Sequence, residues 1–270
     1  MLGVSRAAHA QVRAALQGAL DSGADWAALS DELFGVVDAL DSSHMLRRAL
    51  GDPSRWPADK RALARRLLEG KVQPATLGIV DEAVSQRWAQ ERDVPTALEE
   101  AAVETQVAIA EATGRADEVE EQLFRFERLV SASPELREAV NDRQLPAERK
   151  ADLVRSLLAD KAKPETVRLA VRAATHPRGL RYTEAIEGYL GVAERRRQQL
   201  SAVVTVAEPL TPQQHERLAA ALGRIYSRPV VLKVLVDEHV MGGIRVQVGD
   251  EVIDGTVMRR LDEARRLMGS

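Results

Sequence analysis

The chain has 270 residues, more than a single domain usually contains, and 45% of them are apolar, so two or three compact units are expected. Aromatic residues make up only 3%, so Leu, Val and Ala must fill the cores, which favours helix bundles and excludes an aromatic platform for stacking nucleic-acid bases. The 38 basic and 41 acidic residues nearly cancel to a net charge of -3, which argues against a polyanion-binding surface, and the absence of cysteine excludes disulfides and thiolate chemistry.

The first 200 residues show helical periodicity almost throughout. The first helix carries Ala8, Val12, Leu16 and Leu20 at i, i+4 spacing, and these side chains form one apolar stripe. The start of the chain lacks the apolar core of a signal peptide, and no run of about 18 apolar residues occurs anywhere. The sequence therefore predicts no membrane-spanning helix.

The helical part contains an internal repeat with an offset of 90 residues, as from Leu46 to Leu136. Identical residues at this offset include Leu33 and Leu123, Phe34 and Phe124, Lys60 and Lys150, Leu68 and Leu158, Pro74 and Pro164, and Thr76 and Thr166. Two copies are too few for a solenoid, so duplication of a small bundle is predicted. We place the first bundle at residues 1–98 and the second at 99–200, and we expect each to be independently protected in hydrogen exchange.

A connecting helix is predicted from Ala185 to Leu200, at the end of the second bundle. It carries Arg195, Arg196 and Arg197 in a row. Three consecutive arginines can contact phosphate or an acidic partner, but a solvated helical face is the favoured interpretation.

After Leu200 the pattern changes to that of a small α/β domain, at residues 201–270. Strands are predicted at Ala202–Val206 and Val230–Val236. Between them Thr211-Pro212-Gln213-Gln214 combines a capping box with Pro at the first helical position. The fold class predicted for the whole chain is mainly α, with a helical bundle in two tandem copies followed by this α/β domain.

The end of the chain combines a paired glycine corner, an alternating strand, a second turn and an amphipathic helix. Gly242 and Gly243 suit a sharp reversal with positive φ, and Gly249 with Asp250 marks the second turn. Alternation in Ile244–Val248 indicates a half-buried strand, paired through that turn with Glu251 to Ile253. The helix is predicted from the spacing of Val257, Leu261, Ala264 and Met268, with Asp254 or Thr256 as its cap.

The sequence contains no motif that carries a known chemistry. The glycine corner lacks the GxxxxGK[ST] and GxGxxG patterns of phosphate loops, and a strand follows it where a phosphate site needs a helix N-terminus. The five histidines are scattered and form no metal-binding motif. The two acids of each pair beside a turn point to opposite faces of a strand, so they do not form a two-carboxylate catalytic site. We therefore predict no catalytic residue, no cofactor and no metal.

The C-terminal segment resembles the delta subunit of bacterial F-type ATP synthases, which is related to the mitochondrial oligomycin-sensitivity-conferring protein. The resemblance rests on Val236-Asp237, Met241-Gly242-Gly243, Val246-Gln247-Val248-Gly249-Asp250 and Val252-Ile253-Asp254-Gly255-Thr256-Val257. Glu238 and His239 stand where the family often has Pro and Ser. The family signature is thus assigned to Gly242, Gly243, Gly249, Asp250, Asp254 and Gly255. The second helical copy resembles the expanded delta proteins of actinobacteria.

The resemblance implies a non-catalytic stator subunit that joins the alpha and beta subunits of the catalytic head to the b or b-like subunits of the peripheral stalk. It implies peripheral attachment at the cytoplasmic face of the membrane. The composition separately predicts no nucleic-acid partner. The family's helical bundle holds an alpha-subunit helix in a groove, and the candidates for that groove are Val12, Leu16, Leu77, Val80 and Val84, for which core packing is the alternative. The competing hypotheses for the whole chain are a generic helical adaptor and an enzyme that uses the glycine corner.

Overall fold

The computed structural model describes residues 3–197, 200–226, 230–237, 243–248 and 251–254. Within these ranges the chain forms twelve helices and one four-stranded sheet, in two compact units, Met1–Ala193 and Glu194–Ser270. The helices are α1 Gly3–Asp21, α2 Trp26–Ser42, α3 His44–Gly51, α4 Pro57–Leu68, α5 Pro74–Ser85, α6 Asp93–Ala112, α7 Ala116–Ala132, α8 Pro134–Asn141, α9 Ala147–Leu158, α10 Pro164–Thr175, α11 Tyr182–Arg197 and α12 Pro212–Tyr226. The strands are β1 Leu200–Val206, β2 Val230–Val236, β3 Ile244–Val248 and β4 Glu251–Asp254. The predicted fold class, mainly α with a small α/β part, is confirmed.

The helices of the first unit repeat with the offset seen in the sequence. Each of α2, α3, α4 and α5 begins and ends 90 residues before α7, α8, α9 and α10 respectively, and α1 begins 90 residues before α6. The same side chain caps α3 and α8: Ser43 and Ser133 each accept a hydrogen bond from the backbone N–H three residues later, at 3.2 Å. The repeat is therefore present in the structure as well as in the sequence.

A second tie that recurs in both copies fixes the start of the fifth helix to the second helix. In the first copy the carboxylate of Glu32 accepts hydrogen bonds from the N–H of Gln73 and the hydroxyl of Thr76. In the second copy Gln122 accepts the same pair of bonds, both at 2.8 Å, from the counterparts of those two residues. In each copy one of these two bonds satisfies a backbone N–H, that of Gln73 or Lys163, at a helix N-terminus where such donors lack partners within the helix.

Helix α6 belongs to both copies. It packs against α1, α2, α3 and α5 of the first copy and against α7 and α10 of the second, and 13 of its 20 residues are buried. The boundary predicted between residues 98 and 99 falls inside this helix. One continuous apolar core extends from Ala8 to Val192, and the chain divides between Ala193 and Glu194. The two copies share a core because α6 is both the last helix of the first bundle and the first helix of the second.

The end of the third helix of each copy contacts the chain near the start of the helix that follows the fifth, and this contact differs between the copies. The helices are α3 and α6 in the first copy and α8 and α11 in the second. In the first copy Gly51 lies so close to Glu91 that an added Cβ would be 2.9 Å from its backbone Cα and O, closer than real Cβ atoms approach. The counterpart of Gly51 is Asn141, whose Oδ1 accepts a hydrogen bond of 2.9 Å from the N–H of Tyr182. The close backbone contact at Gly51 and the side-chain hydrogen bond of Asn141 thus both connect the end of a third helix to the chain near the start of α6 or α11.

The second unit is built on a sheet with the strand order β2-β1-β3-β4. β1 and β2 are parallel and joined through α12, whereas β1 with β3 and β3 with β4 are antiparallel. The predicted capping box forms at the start of α12, with Gln214 N–H donating to Thr211 Oγ1 at 3.3 Å and Thr211 N–H donating to Gln214 Oε1 at 2.8 Å. The predicted final helix lies outside the described residues.

Candidate partner-binding surfaces

Five side chains predicted to line a helix-binding groove lie on α1 and α5. Four of them, Val12, Leu16, Val80 and Val84, are at most 2% exposed and belong to the apolar core, whereas Leu77 is half-buried. Since α1 and α5 pack against each other, these four side chains support the two helices from inside. A groove at these residues stays a prediction, and it requires the helix pair to open.

The solvent side of α1 carries a different stripe, which we name the α1 outer face: Val4, Ala7, Gln11, Ala14 and Gly18. All five are exposed, and none is charged. An added Cβ at Gly18 would meet nothing within 4 Å. The exposed side of a surface helix normally carries charged side chains, so an uncharged stripe at i, i+3, i+4 spacing, with Ala or Gly at three of its five positions, leaves room for another helix to approach closely.

Three acidic and three basic side chains connect the two copies, and we name this group the ionic seam. Arg172 Nη1 lies 2.7 Å from Asp38 Oδ1, and Arg178 Nε lies 2.6 Å from Asp41 Oδ2. Arg168 pairs with Asp31. The acids are spaced along α2, and the bases lie on α10 and directly after it. The seam therefore ties a helix of the first copy to a helix of the second.

Arg172 is the most buried member of the seam. Its side chain is 7% exposed, and its guanidinium lies 4.6 Å from the ring centroid of Phe34, in cation–π geometry. Its Nε is 3.5 Å from Glu99 Oε1 on α6, and Glu99 also pairs with Arg178 at 2.6 Å. The seam thus reaches a third helix, the one shared by both copies.

Neighbouring charges and burial both change the pKa values of Arg178 in the seam and of Tyr189 beside it. Burial by itself would lower the pKa of Arg178, but Glu99 and Asp41 outweigh burial and raise that pKa. Burial raises the pKa of Tyr189, whose hydroxyl donates to Glu99 Oε1 at 3.3 Å. Both groups therefore keep their protonated forms at neutral pH.

The seam does not follow the internal repeat. The counterpart of Arg172 in the first copy is Glu82, and the counterpart of Asp38 in the second copy is Arg128, so both charges are reversed. The repeat alone would not place these groups opposite each other. The seam is specific to the contact between the copies.

His176 lies at the end of α10, beside the seam. Its Nε2 is 3.4 Å from Asp38 Oδ2, and its Nδ1 is 2.8 Å from Thr175 Oγ1. Burial is the larger effect and lowers its pKa, the charge of Arg172 lowers it further, and Asp38, Glu99 and Asp41 oppose this without reversing it. The neutral imidazole is therefore the form that the fold favours.

We expect the wild-type helical unit to lose more stability than the variant His176→Gln as pH falls from 7 to 5. Because the folded pKa of His176 lies below its ordinary value of 6.5, its stabilising contribution is complete above about pH 6.5 and is lost as pH falls towards the folded pKa. Melting temperatures at pH 7, 6 and 5 measure the effect. The exposed His44 provides the control variant, His44→Gln, and equal pH slopes for wild type and His176→Gln would contradict the assignment.

In the second unit the structure describes only part of the predicted signature. Gly243 has φ +86°, in the left-handed region that favours glycine, as the predicted corner requires. Asp254 ends β4 and is paired in register with Arg245 on β3. Gly242, Gly249, Asp250 and Gly255 lie outside the described residues.

The sheet of this unit exposes apolar side chains on both of its edge strands. Leu235 and Val236 on β2 are 56% and 53% exposed, and Val252 and Ile253 on β4 are both 39% exposed. Edge strands with exposed apolar residues are surfaces on which another chain can pack.

Comparison with known proteins gives a single consistent result. The family described as ATP synthase delta (OSCP) subunit matches residues 103–268, well over half of the chain. The ATP synthase subunit delta of Kineococcus radiotolerans is 48% identical, over 98% of this chain and 96% of the relative. That of Streptomyces griseus is 43% identical over 99% of both chains, and that of Thermobifida fusca is 42% identical over 98% of both.

The chain belongs to the ATP synthase delta (OSCP) subunit family. It is therefore a peripheral-stalk subunit and part of the ATP synthase complex. A chain of the Toxoplasma gondii mitochondrial ATP synthase hexamer aligns with 62% of this chain at 20% identity, but its TM-score of 0.27 is too low to support any conclusion.

The extent of the matches distinguishes the two helical copies of this delta-family chain. The family match begins at residue 103, inside α6, so it covers most of the second copy and the small unit. The actinobacterial relatives align from end to end and include the first copy. The second copy is thus the one that corresponds to the common family bundle.

Two further observations on this delta-family chain concern metal binding and membrane crossing. In the part of the chain that the structure describes, no three His, Asp or Glu side chains are arranged to hold a metal ion. Among the helices of the described ranges, none has both the length and the apolar character needed to cross a bilayer.

Proposed function

We propose that this chain joins the alpha and beta subunits of the catalytic head to the b or b-like subunits of the membrane-anchored stalk. Its role is to prevent the head from turning with the rotor, so that proton-driven rotation is coupled to ATP synthesis. The observation that carries the proposal is family membership over the full chain, at 48% identity to a known delta subunit. The site of action is the cytoplasmic face of the membrane, through partners.

The helical unit fits the head-binding role through its construction. A stator must keep its shape under torque, and this unit has one continuous core, a helix shared by both copies and an ionic seam between them. We assign no catalytic step to the chain, so its chemistry is binding. Several contacts that act together give a holding strength that no single contact needs to supply.

We assign the stalk contact to the small α/β unit. Its support is the pair of exposed apolar edges, Leu235 with Val236 on β2 and Val252 with Ile253 on β4. A helical stalk subunit that packed along such an edge would bury apolar surface, which drives protein association.

Copurification tests the proposal. The tagged full chain is recovered in mild detergent from membranes of its own source, and the proteins that accompany it are identified. We expect alpha, beta and b-type subunits together. If a folded sample repeatedly recovered none of them, the chain would be a generic helical adaptor instead.

A further inference from the structure

The solvent side of α7 carries large apolar and basic side chains together, and we name it the α7 outer face: Glu121, Phe124, Arg125, Arg128 and Leu129. All five are exposed, Phe124 by 55% and Leu129 by 49%. Arg125 pairs with Glu121 on the same helix, whereas Arg128 makes no ion pair within the part of the chain that the structure describes. The face thus combines two large apolar side chains with an uncompensated cation, which is typical of a surface that contacts a partner.

The equivalent face of the first copy, on α2, is covered by a helix. Phe34 lies 90 residues before Phe124 and is only 6% exposed. The guanidinium of Arg172 on α10 lies 4.6 Å from the ring centroid of Phe34 and 2.7 Å from Asp38, the counterpart of Arg128. The second helix of a copy therefore accepts a helix at this position, and a charged side chain of that helix pairs one turn away from the aromatic ring.

Among the described residues, no helix of the chain covers the α7 outer face in the same way. α10 reaches α2 because the second bundle follows the first through the shared helix α6. The counterpart of α6 in the second copy is α11, and the residues that follow α11 form strand β1 instead of a third bundle. The repeat thus provides a helix for α2 and none for α7.

Charge complementarity defines the kind of helix that fits α7. On α2 the carboxylate of Asp38 pairs with the arginine of α10, but at the equivalent place on α7 Arg128 would repel an arginine. An acidic side chain would pair with Arg128. The faces of Phe124 and Leu129 would then be covered by apolar side chains of the same helix, since an aromatic ring face does not favour an anion. The complement of this face is an amphipathic helix with Asp or Glu about one turn from its apolar contact.

We propose that the α7 outer face is the docking surface for an amphipathic helix of another subunit of the ATP synthase complex, with an acidic residue of that helix opposite Arg128. The inference rests on the proposed function for the source of the helix, and it adds the chemistry of the contact and its place in the second copy. A second copy of this chain, the chain's own α/β unit and lipid are the occupants that the test must distinguish from such a helix.

A photoreactive residue on the face identifies what covers it. p-Benzoylphenylalanine replaces Phe124 in the full chain, which is assembled with the other subunits on membranes depleted of it, and crosslinked peptides are identified by mass spectrometry. The control places the same residue at Trp56, which is 77% exposed in the first copy. We expect position 124 to crosslink to a helix of another subunit, with Asp or Glu about one turn from the crosslinked residue, and position 56 not to crosslink to that helix.

Charge reversal at Arg128 tests the chemistry of the contact. In the chain with the photoreactive residue at position 124, Arg128→Glu should lower the crosslink yield by about fivefold or more, because it places like charges opposite each other. Exchanging the acid of the partner helix for Lys should restore the yield. The matched control is Arg149→Glu, an exposed arginine on α9, which should leave the yield within about twofold. Both arginines are exposed, so neither change should lower the melting temperature appreciably.

The outcomes separate this inference from the proposed function. A crosslink from position 124 to the α/β unit, to a second copy or to lipid, or no crosslink in an assembled complex, would overturn the inference. An unchanged yield with Arg128→Glu would overturn it as well. Each of these results leaves the proposed function intact when alpha, beta and b-type subunits still copurify with the chain. A folded chain that recovered none of those subunits would overturn the proposed function and the inference together.

Discussion

Arg172→Ala is expected to lower the free energy of unfolding of the helical unit by about 3 kcal/mol. The change removes the arginine that Asp38 and Glu99 share, so that Glu99 keeps only its contact with Arg178 among the pairs described above, and it removes the cation–π contact with Phe34. The loss combines the charged contacts with Asp38 and Glu99 and the cation–π contact, all made by a side chain that is 7% exposed. Urea unfolding followed by circular dichroism measures the loss.

The matched control for this variant is Arg155→Ala. Arg155 is also an arginine of the second copy, but its side chain is 58% exposed and it pairs with Asp152, three residues away on the same helix. Removing it should change stability by less than about 0.5 kcal/mol. A double-mutant cycle of Arg172→Ala with Asp38→Ala should show coupling. If Arg172→Ala cost no more than the control, the seam would not hold the copies together.

Trp88→Ala is expected to destabilise the helical unit by about 3–5 kcal/mol and to do so in both copies. Trp88 is 2% exposed, its Nε1–H donates to the Ala83 carbonyl at 2.7 Å, and its ring meets His9 edge-on at 5.2 Å. Because α6 joins the two cores, loss of packing in the first copy should reduce hydrogen-exchange protection in α10 of the second copy as well.

Trp56→Ala provides the comparison, because Trp56 is 77% exposed. We expect that variant to remain within about 0.5 kcal/mol of wild type. The outcome of Trp88→Ala decides between two accounts of the repeat. Loss of protection in both copies would show one cooperative unit, whereas loss confined to the first copy would restore the sequence-based expectation of two independent bundles.

Much of the fold could be predicted because its determinants are local. The offset of 90 residues places the capping serines Ser43 and Ser133 and the helix-starting prolines Pro74 and Pro164 at equivalent points, and the helix bounds follow them. The capping box at Thr211 and the alternation in Ile244–Val248 likewise predicted α12 and β3. Each of these signals needs only a few neighbouring residues.

The contacts between the copies could not be predicted, because they join residues far apart in the chain. Arg172 and Asp38 lie on helices of different copies, and no local pattern pairs them. The available signal was the failure of the repeat at these positions, where charge changes sign between the copies. The exposed state of Ala14 and the buried state of its counterpart Glu104 likewise depend on which helix packs beside each.

The candidate groove shows the same limit. A stripe such as Val12 and Leu16 has the spacing of an apolar helix face, and spacing cannot distinguish a face that binds a partner from one that packs in the core. The structure places both side chains in the core. The exposed face on the other side of α1 has Ala or Gly at three of its five positions, and hydrophobic periodicity does not detect such a face.

The measurement that tests the central claim most directly is ATP-driven proton pumping by membranes depleted of this chain. Such membranes are supplied with purified heads, first without and then with the full chain, and both head binding and pumping are recorded. The stator account predicts that heads hydrolyse ATP in either case, whereas pumping returns only when the chain is added. If pumping were fully restored by heads alone, the chain would not be the connection that couples rotation to the membrane, and the account would be wrong.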